Sequence, residues 1–303
     1  MEIGFVILSH NNPEMLRRLI RRLNQSFDAP PIVCHHDFHQ LPLAVTDFPE
    51  NTRFVEKPVR TRWGHVSLVQ AFRIALRQLY EWKPADWFVF LSASDYPIKR
   101  GDRIVSELSN SPFDAYLDHR CVPDYSDLPE ASRDCGFELA YGRPYWLKEA
   151  YNRYVARNLR YPGVNRKGQP CLRRLPIRHP RWIGDTPFRE GFRCYAGDAW
   201  LTARARCAEA LFSDSECSRR LLDYYRNRLI PDESFFHTVL CNYPGLKLCN
   251  DNKRYADWRA GRPSPKMLGI EDLPALLDSS HHFARKFSED HDLRILEELD
   301  RFN

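Results

Sequence analysis

Apolar residues in the first third of the chain alternate between two patterns. Residues 3–8, Ile-Gly-Phe-Val-Ile-Leu, form an unbroken apolar run that ends at Ser9-His10-Asn11-Asn12-Pro13. Such a run reads as a buried strand. Met15, Leu16, Leu19, Ile20 and Leu23 then recur at helical spacing with arginines between them. Ile32-Val33-Cys34 reads as a second short strand ending at His35-His36-Asp37, and Phe54-Val55 as a third. Residues 66–82 carry Val69, Phe72, Ile74, Ala75, Leu76 and Leu79, an amphipathic helix. Trp87-Phe88-Val89-Phe90-Leu91-Ser92 is again a buried strand, ending at Asp95-Tyr96-Pro97. Strand, helix, strand, helix, strand implies right-handed crossovers and a mostly parallel central sheet flanked by helices. The predicted class is α/β. Ligands of such sheets bind outside the carboxyl ends of the strands, and Ser9-His10, His35-His36-Asp37 and Ser94-Asp95 all fall at such ends.

The pattern weakens after residue 118. Residues 119–195 are rich in Pro, Arg and Tyr and read as an insertion of long loops with one helix near 147–158. Residues 198–212 and 216–229 read as helices. Pro231-Asp232-Glu233 opens another, running to about Cys241, with its acids at the positive helix end. Residues 269–277 and 290–301 are expected to be helical. With no internal repeat, 1–303 is expected to be one domain, its two halves 1–118 and 119–303, the second interrupted near 119–190.

Composition narrows the function classes. The chain has 303 residues, 43% hydrophobic and 28% charged, ordinary for a globular protein able to bury a core. Aromatics at 13% suit sugar platforms, but composition alone favours a large core. A net charge of +5 fits a phosphate-bearing ligand and is too mild to suggest a nucleic-acid partner. No stretch approaches the ~20 apolar residues of a membrane span. The start carries no secretion signal, and the nine cysteines show no Cys-x-x-Cys pair. They are expected to be reduced and mostly buried, in cytoplasm, including the inner face of the membrane.

Seven segments, taken in order, carry a resemblance. They are Ile7-Leu8-Ser9-His10-Asn11-Asn12-Pro13; His35-His36-Asp37; Arg62-Trp63-Gly64-His65-Val66-Ser67-Leu68-Val69-Gln70-Ala71; Leu91-Ser92-Ala93-Ser94-Asp95-Tyr96-Pro97-Ile98; Gly197-Asp198-Ala199-Trp200-Leu201; Pro231-Asp232-Glu233-Ser234-Phe235-Phe236; and Phe283-Ala284-Arg285-Lys286-Phe287. At these separations the chain resembles the core-2/I-branching β-1,6-N-acetylglucosaminyltransferase and peptide O-xylosyltransferase family, glycosyltransferase family 14. The likeness runs nearly end to end and is weakest over 119–190. It is similar to a bare catalytic domain, as in a bacterial member. The resemblance implies a GT-A-type fold, with a Rossmann-like nucleotide-binding half and an acceptor-binding half. It also implies a UDP-sugar donor, inversion at the anomeric carbon, and no divalent metal or other cofactor.

Residue by residue, the resemblance makes Glu233 the base. Inverting transfer needs one carboxylate to take the proton from the attacking hydroxyl. Read without it, Glu233 is an acid favouring a helix dipole. His10, Asp37, Trp63, Gly64 and Ser67 form the expected nucleotide pocket, with Gly64 letting backbone come close. Asp95 stands where metal-dependent GT-A enzymes carry Asp-x-Asp, but the first position is Ala93; a lone carboxylate is a poor hard-cation site. Asp95 is therefore expected to bind donor sugar or ribose hydroxyls, or to shape a turn. In place of a metal, fixed cations would meet the leaving diphosphate: Lys286, with Arg285, and at the place of a second family cation Arg262, with Lys266 and Arg254 as the alternatives. Trp200 follows Gly197-Asp198, where the family has Gly-Ser, and with Arg254 and Trp258 is expected on the acceptor side. His35 and His36 are neighbours on a strand and point to opposite faces, which argues against a shared metal.

The expected donor is UDP-N-acetylglucosamine, with UDP-xylose the alternative, and the acceptor a glycan or glycolipid of a bacterial surface polysaccharide. Two readings from other classes stay open: a non-catalytic sugar- or nucleotide-binding module on the same scaffold, and a metal-dependent hydrolase built on the His-rich strand end.

Overall fold

The computed structural model describes residues 1–123, 136–139, 143–164, 168, 170–177, 186–259 and 264–302. Its first part is β1 (Ile3–Ser9), α1 (Pro13–Phe27), β2 (Ile32–His36), β3 (Thr52–Phe54), α2 (Ser67–Trp82), β4 (Trp87–Ser92), β5 (Asp95–Pro97), α3 (Gly101–Ser109), β6 (Ala115–Tyr116) and β7 (Arg120–Cys121). The middle holds β8 (Gly136–Leu139), β9 (Arg143–Trp146), α4 (Leu147–Ala150), a π-turn at Tyr151–Val155, β10 (Arg157–Val164), β11 (Pro170–Ile177) and β12 (Tyr195–Ala196). The last part is β13 (Thr202–Arg204), α5 (Ala205–Phe212), α6 (Glu216–Tyr225), a 3₁₀ turn at Pro231–Glu233, α7 (Phe235–Cys241), β14 (Leu248–Cys249), β15 (Arg254–Ala256), α8 (Leu273–Asp278), β16 (Phe283–Arg285) and α9 (Leu293–Phe302).

Seven strands make the central sheet, in the order β14-β6-β13-β4-β1-β2-β3. Every pairing is parallel except the two made by β13, which runs antiparallel to β4 and β6. The expected α/β, mostly parallel sheet flanked by helices is therefore present. Successive side chains of a strand point to opposite faces, and here both faces are buried. Val6, Phe88 and Phe90 join one core with Phe72, Leu76, Phe235 and Phe236, while Phe5, Ile7, Trp87 and Val89 join another with Leu16, Leu19, Phe283 and Leu296. Two covered faces are why β1 and β4 read as unbroken apolar runs. α1 starts as its sequence suggests: Asn12 accepts from the Met15 N–H at 3.1 Å, and Pro13 opens the first turn.

Several expected elements differ. The helix placed at 198–212 begins only at Ala205, because Thr202–Arg204 fills the gap between β4 and β6 and its backbone groups go to those strands. The helix placed at 216–229 ends at Tyr225, and the one opened by Pro231 is a 3₁₀ turn followed by α7. The 119–190 insertion holds two hairpins, β8–β9 and β10–β11. Its helix near 147–158 stops at Val155, giving way to β10. A further sheet, β15-β16-β5, was not legible in the pattern at all. Of the described cysteines, Cys34, Cys194 and Cys207 are buried, Cys217 is exposed and Cys121, Cys241 and Cys249 are in between, so burial is less general than expected. Among the described residues, no helix is long and apolar enough to cross a membrane.

Candidate functional site

The carboxyl ends of β1, β2 and β4 open on one edge. At the end of β2, Asp37 is 1% exposed. Its Oδ2 accepts from the Thr61 N–H and Thr61 Oγ1, both at 2.7 Å, and from Gln40 Nε2 at 2.8 Å, while Oδ1 accepts from the His39 N–H at 3.2 Å. Against the desolvation of burial, these donors hold the Asp37 carboxyl down to about 2. Asp37 thus ties down the 57–62 loop. The two histidines before it do likewise: His35 Nε2 accepts from the Val59 N–H at 3.0 Å. His36 Nδ1 lies 2.8 Å from Ser9 Oγ, and its Nε2 lies 2.7 Å from the Leu41 carbonyl. His10 is exposed at the end of β1, within the field of Asp37, His36 and Lys286. Partial burial lowers its pKa, with Asp37 opposing and His36 and Lys286 adding.

The 62–67 turn links this edge to Glu233. Ser67 Oγ accepts from the Arg62 N–H at 3.0 Å, closing the turn at the start of α2. Trp63 stands 78% exposed at its tip. Gly64 has φ +67°, a conformation that favours glycine, and its carbonyl accepts from the Ile230 N–H at 3.1 Å. Ile230 leads directly into Pro231-Asp232-Glu233.

The small sheet supplies the charges. In the register of β5 and β16, Arg285 lies opposite Asp95. Asp95 is 0% exposed. Its Oδ2 accepts from the backbone N–H and, at 2.8 Å, from the hydroxyl of Ser92, and its Oδ1 lies 3.5 Å from both Arg254 Nη1 and Arg285 Nε. Arg254 is 1% exposed and donates from Nη2 to the Phe90 carbonyl at 2.9 Å. It was expected on the acceptor side; the pairing of β15 with β16 turns it inward, beneath the site. Trp200 packs on Phe90 at 5.1 Å and carries the Arg285 guanidinium 4.1 Å above its ring, with Arg254 at 5.6 Å. Burial lowers the Arg285 pKa, opposed by Asp95, Asp198 and Asp232. Burial and Arg285 lower that of Lys286, opposed by Asp95. The Arg285–Lys286 peptide is cis. Asp232 is pushed up to about 6 by burial, with Arg285 opposing.

Glu233 ends the 3₁₀ turn. Its carbonyl accepts from the Gly197 N–H at 2.9 Å. A Cβ at Gly197 would lie 1.9 Å from the Asp118 carbonyl oxygen, so the end of β12 packs against the backbone at Asp118 only around glycine. The Glu233 Oε2 accepts from Tyr154 Oη at 3.2 Å and from Arg153 Nη1 at 3.3 Å. Both donors come from the π-turn in the insertion.

The structure thus joins Asp95, Arg285, Arg254 and Trp200 in contact, sets Lys286 near His10 and Asp95, and ties Gly64 to the Glu233 turn. Ser67 and Asp37 act on loops. Trp258 is partly buried after β15, and Arg262 lies outside the described residues. Sequence reasoning missed Arg153 and Tyr154. The available signal was Arg153 four positions after Glu149 on a predicted helix, a spacing that pairs charges.

The model of the Core-2/I-branching enzyme family matches residues 3–120 and 165–277, well over half of the chain. The chain belongs to the Core-2/I-branching enzyme family. Among curated relatives of this chain, xylosyltransferase 1 of Homo sapiens is 28% identical over 276 residues, 85% of this chain and 24% of the human protein. Beta-glucuronosyltransferase GlcAT14B of Arabidopsis thaliana is 26% identical over 237 residues, 77% of this chain and 46% of its own. The chain therefore spans about a quarter of the length of the xylosyltransferase 1 it matches. Among solved structures, mouse xyloside xylosyltransferase 1 in its apo form aligns over 94% of this chain and 97% of its own, with 9% identity and a TM-score of 0.38. Arg153 and Tyr154 fall between the two segments that the family model matches, and Arg285 and Lys286 fall beyond them.

Proposed function

We propose that this chain is an inverting glycosyltransferase that moves a sugar from a UDP-sugar to a hydroxyl of a glycan or glycolipid, with Glu233 as base and without a divalent metal. The observation that carries the reading is the adjacent cations Arg285 and Lys286 at the end of β16, both within the field of Asp95, with Arg285 also within that of Asp232, the neighbour of the proposed base in the chain. Glu233 takes the proton as the acceptor oxygen bonds to the anomeric carbon from the face opposite the leaving group. The bond from that carbon to the diphosphate oxygen breaks, and the charge developing on the β-phosphate is met by Lys286 and Arg285. The position a first metal-binding carboxylate would take is Ala93, and Asp95 is committed to Ser92, Arg254 and Arg285, which supports cation chemistry by side chains.

UDP-N-acetylglucosamine is the donor proposed from the motif likeness; UDP-xylose is the second reading, supported by relatives named xylosyltransferase. The setting proposed is bacterial surface-polysaccharide synthesis, in cytoplasm or at the inner membrane face. The test is binding and slow hydrolysis of UDP-, dTDP- and GDP-sugars, with and without EDTA, on wild type and Glu233→Gln. One UDP-sugar is expected to bind and turn over with EDTA present, and Glu233→Gln to keep binding while losing at least about 100-fold in turnover. Donor binding that is absent, or turnover that EDTA abolishes, overturns the proposal.

A further inference from the structure

We propose that Arg153 is a positioning residue for Glu233, holding the base ionised and aimed, and that Tyr154 shares the task. This rests on Glu233 being the base. Four observations carry it. Arg153 Nη1 and Tyr154 Oη both reach Glu233 Oε2, at 3.3 and 3.2 Å. Arg153 is fixed from behind by Glu149 on the preceding turn, and its side chain is 19% exposed. The π-turn that presents both residues is bolted to the end of α6. Tyr224 Oη donates to the Tyr154 carbonyl at 2.6 Å, Arg228 Nε donates to the same carbonyl at 3.2 Å, and the Leu229 N–H donates to the Arg153 carbonyl at 3.4 Å. Residues 224–229 then run straight into Ile230 and the Glu233 turn. The contact between base and π-turn therefore closes a ring: side chains 153 and 154 hold carboxylate 233, while the chain just before 233 holds backbone 153 and 154. Such π-turns are rare and concentrate at functional positions. Both residues lie in the 121–164 stretch between the segments that the family model matches.

A cation 3.3 Å from a carboxylate favours its ionised form, and two donors on one oxygen fix its plane. The other charged groups around the turn are Glu149 behind Arg153, Asp232 on the turn itself, Arg285 and Asp95 from the small sheet, and Asp198. His237 on α7 is held neutral, its pKa lowered to about 3 chiefly by burial. Arg153 is a cation in direct contact with Glu233.

The experiment is the pH–rate profile of transfer for wild type, Arg153→Ala, Arg153→Lys and Tyr154→Phe, with donor affinity and melting temperature measured alongside. Arg153→Ala is expected to lower kcat about 10–100-fold, leave donor Kd unchanged, and move the acid limb of kcat up by about one pH unit. Arg153→Lys should restore the limb and only part of kcat, since an ammonium reproduces the charge but not the planar fork. If Arg153→Ala does not fold, Tyr154→Phe, which removes a single hydroxyl, is expected to lower kcat with donor Kd intact. An acid limb that stays put in Arg153→Ala, with only the melting temperature changed, overturns the proposal, as does an unchanged kcat in Tyr154→Phe. Glu233→Gln in the same assay separates the two failures: if it keeps full turnover, the base assignment is lost; if it is inactive while Arg153→Ala keeps its profile, only the positioning role is lost.

Discussion

Asp232 sits one position before the proposed base and has the opposite electrostatic problem. Its Oδ1 is buried with no hydrogen-bond partner among the described residues, and burial lifts its pKa from 3.8 to about 6. The folded chain binds this proton more tightly than the unfolded chain does. The group's contribution to stability is therefore fully present below about 3.8 and lost as pH rises through about 6. Asp232→Asn is expected to raise the melting temperature at pH 7–8, a gain of about 1–3 kcal/mol, and to change little at pH 4. Thermal unfolding at the two pH values checks it; an equal gain at both would mean that charge is not the cause. The neighbouring acids of the Asp232-Glu233 pair thus sit in different surroundings, which the sequence, though its resemblance singled out Glu233, could not show. What separated them was the company each keeps: Arg153 and Tyr154 at Glu233, burial at Asp232.

At the scale of elements, the sheet β5-β16-β15 decides where the cations stand. Each of its strands has three residues, too few for a period to show, and the partners lie far apart in the chain. Nothing local predicts that Arg285 is opposite Asp95 or that Arg254 turns inward. The pairing makes Asp95 the counter-charge of two mostly buried guanidinium groups. Removing one partner of a buried pair leaves the other uncompensated, so Asp95→Ala is expected to cost about 3–5 kcal/mol and to lose donor binding with it. Lys286→Ala, on a partly exposed side chain one residue past the strand, is expected to leave the melting temperature near wild type and weaken donor affinity about 10–100-fold. Calorimetry and donor titration on both variants distinguish the roles. A Lys286→Ala variant that binds donor normally would remove this residue from the diphosphate site.

Over the whole molecule, the chain's two ends are clasped. Asp300 on α9 accepts from Arg18 Nη2 at 2.7 Å and from Tyr96 Oη at 2.6 Å, and its carbonyl accepts from Arg22 Nη1 at 3.4 Å. Ile295, Leu296 and Leu299 of the same helix are fully buried in the core that also holds α1 and β5. The last helix thus backs the strand that carries Asp95. Asp300→Ala is expected to destabilise by about 1–3 kcal/mol, through the hydroxyl and guanidinium left behind. Urea unfolding should show a lower midpoint with an unchanged slope. A change confined to local fraying of α9, without a global shift, would show that the clasp does not bear on the core.

Much of this architecture is legible in the sequence. The runs at 3–8, 32–34 and 87–92, the helical periods at 15–23 and 66–82, and the polar residues closing each strand specify a mostly parallel α/β sheet and its polar carboxyl edge, because burial on both faces and 3.6-residue spacing leave marks in the local pattern. The ordered motifs named the family. Tertiary structure alone decided the rest. It placed Arg254 under the site, set Asp95 between two arginines, and brought Arg153 and Tyr154 from an unpatterned insertion onto Glu233. Those are contacts between residues some eighty or more positions apart, held by strands and turns too short to carry a period, and a charge's role there depends on what stands within 4 Å of it.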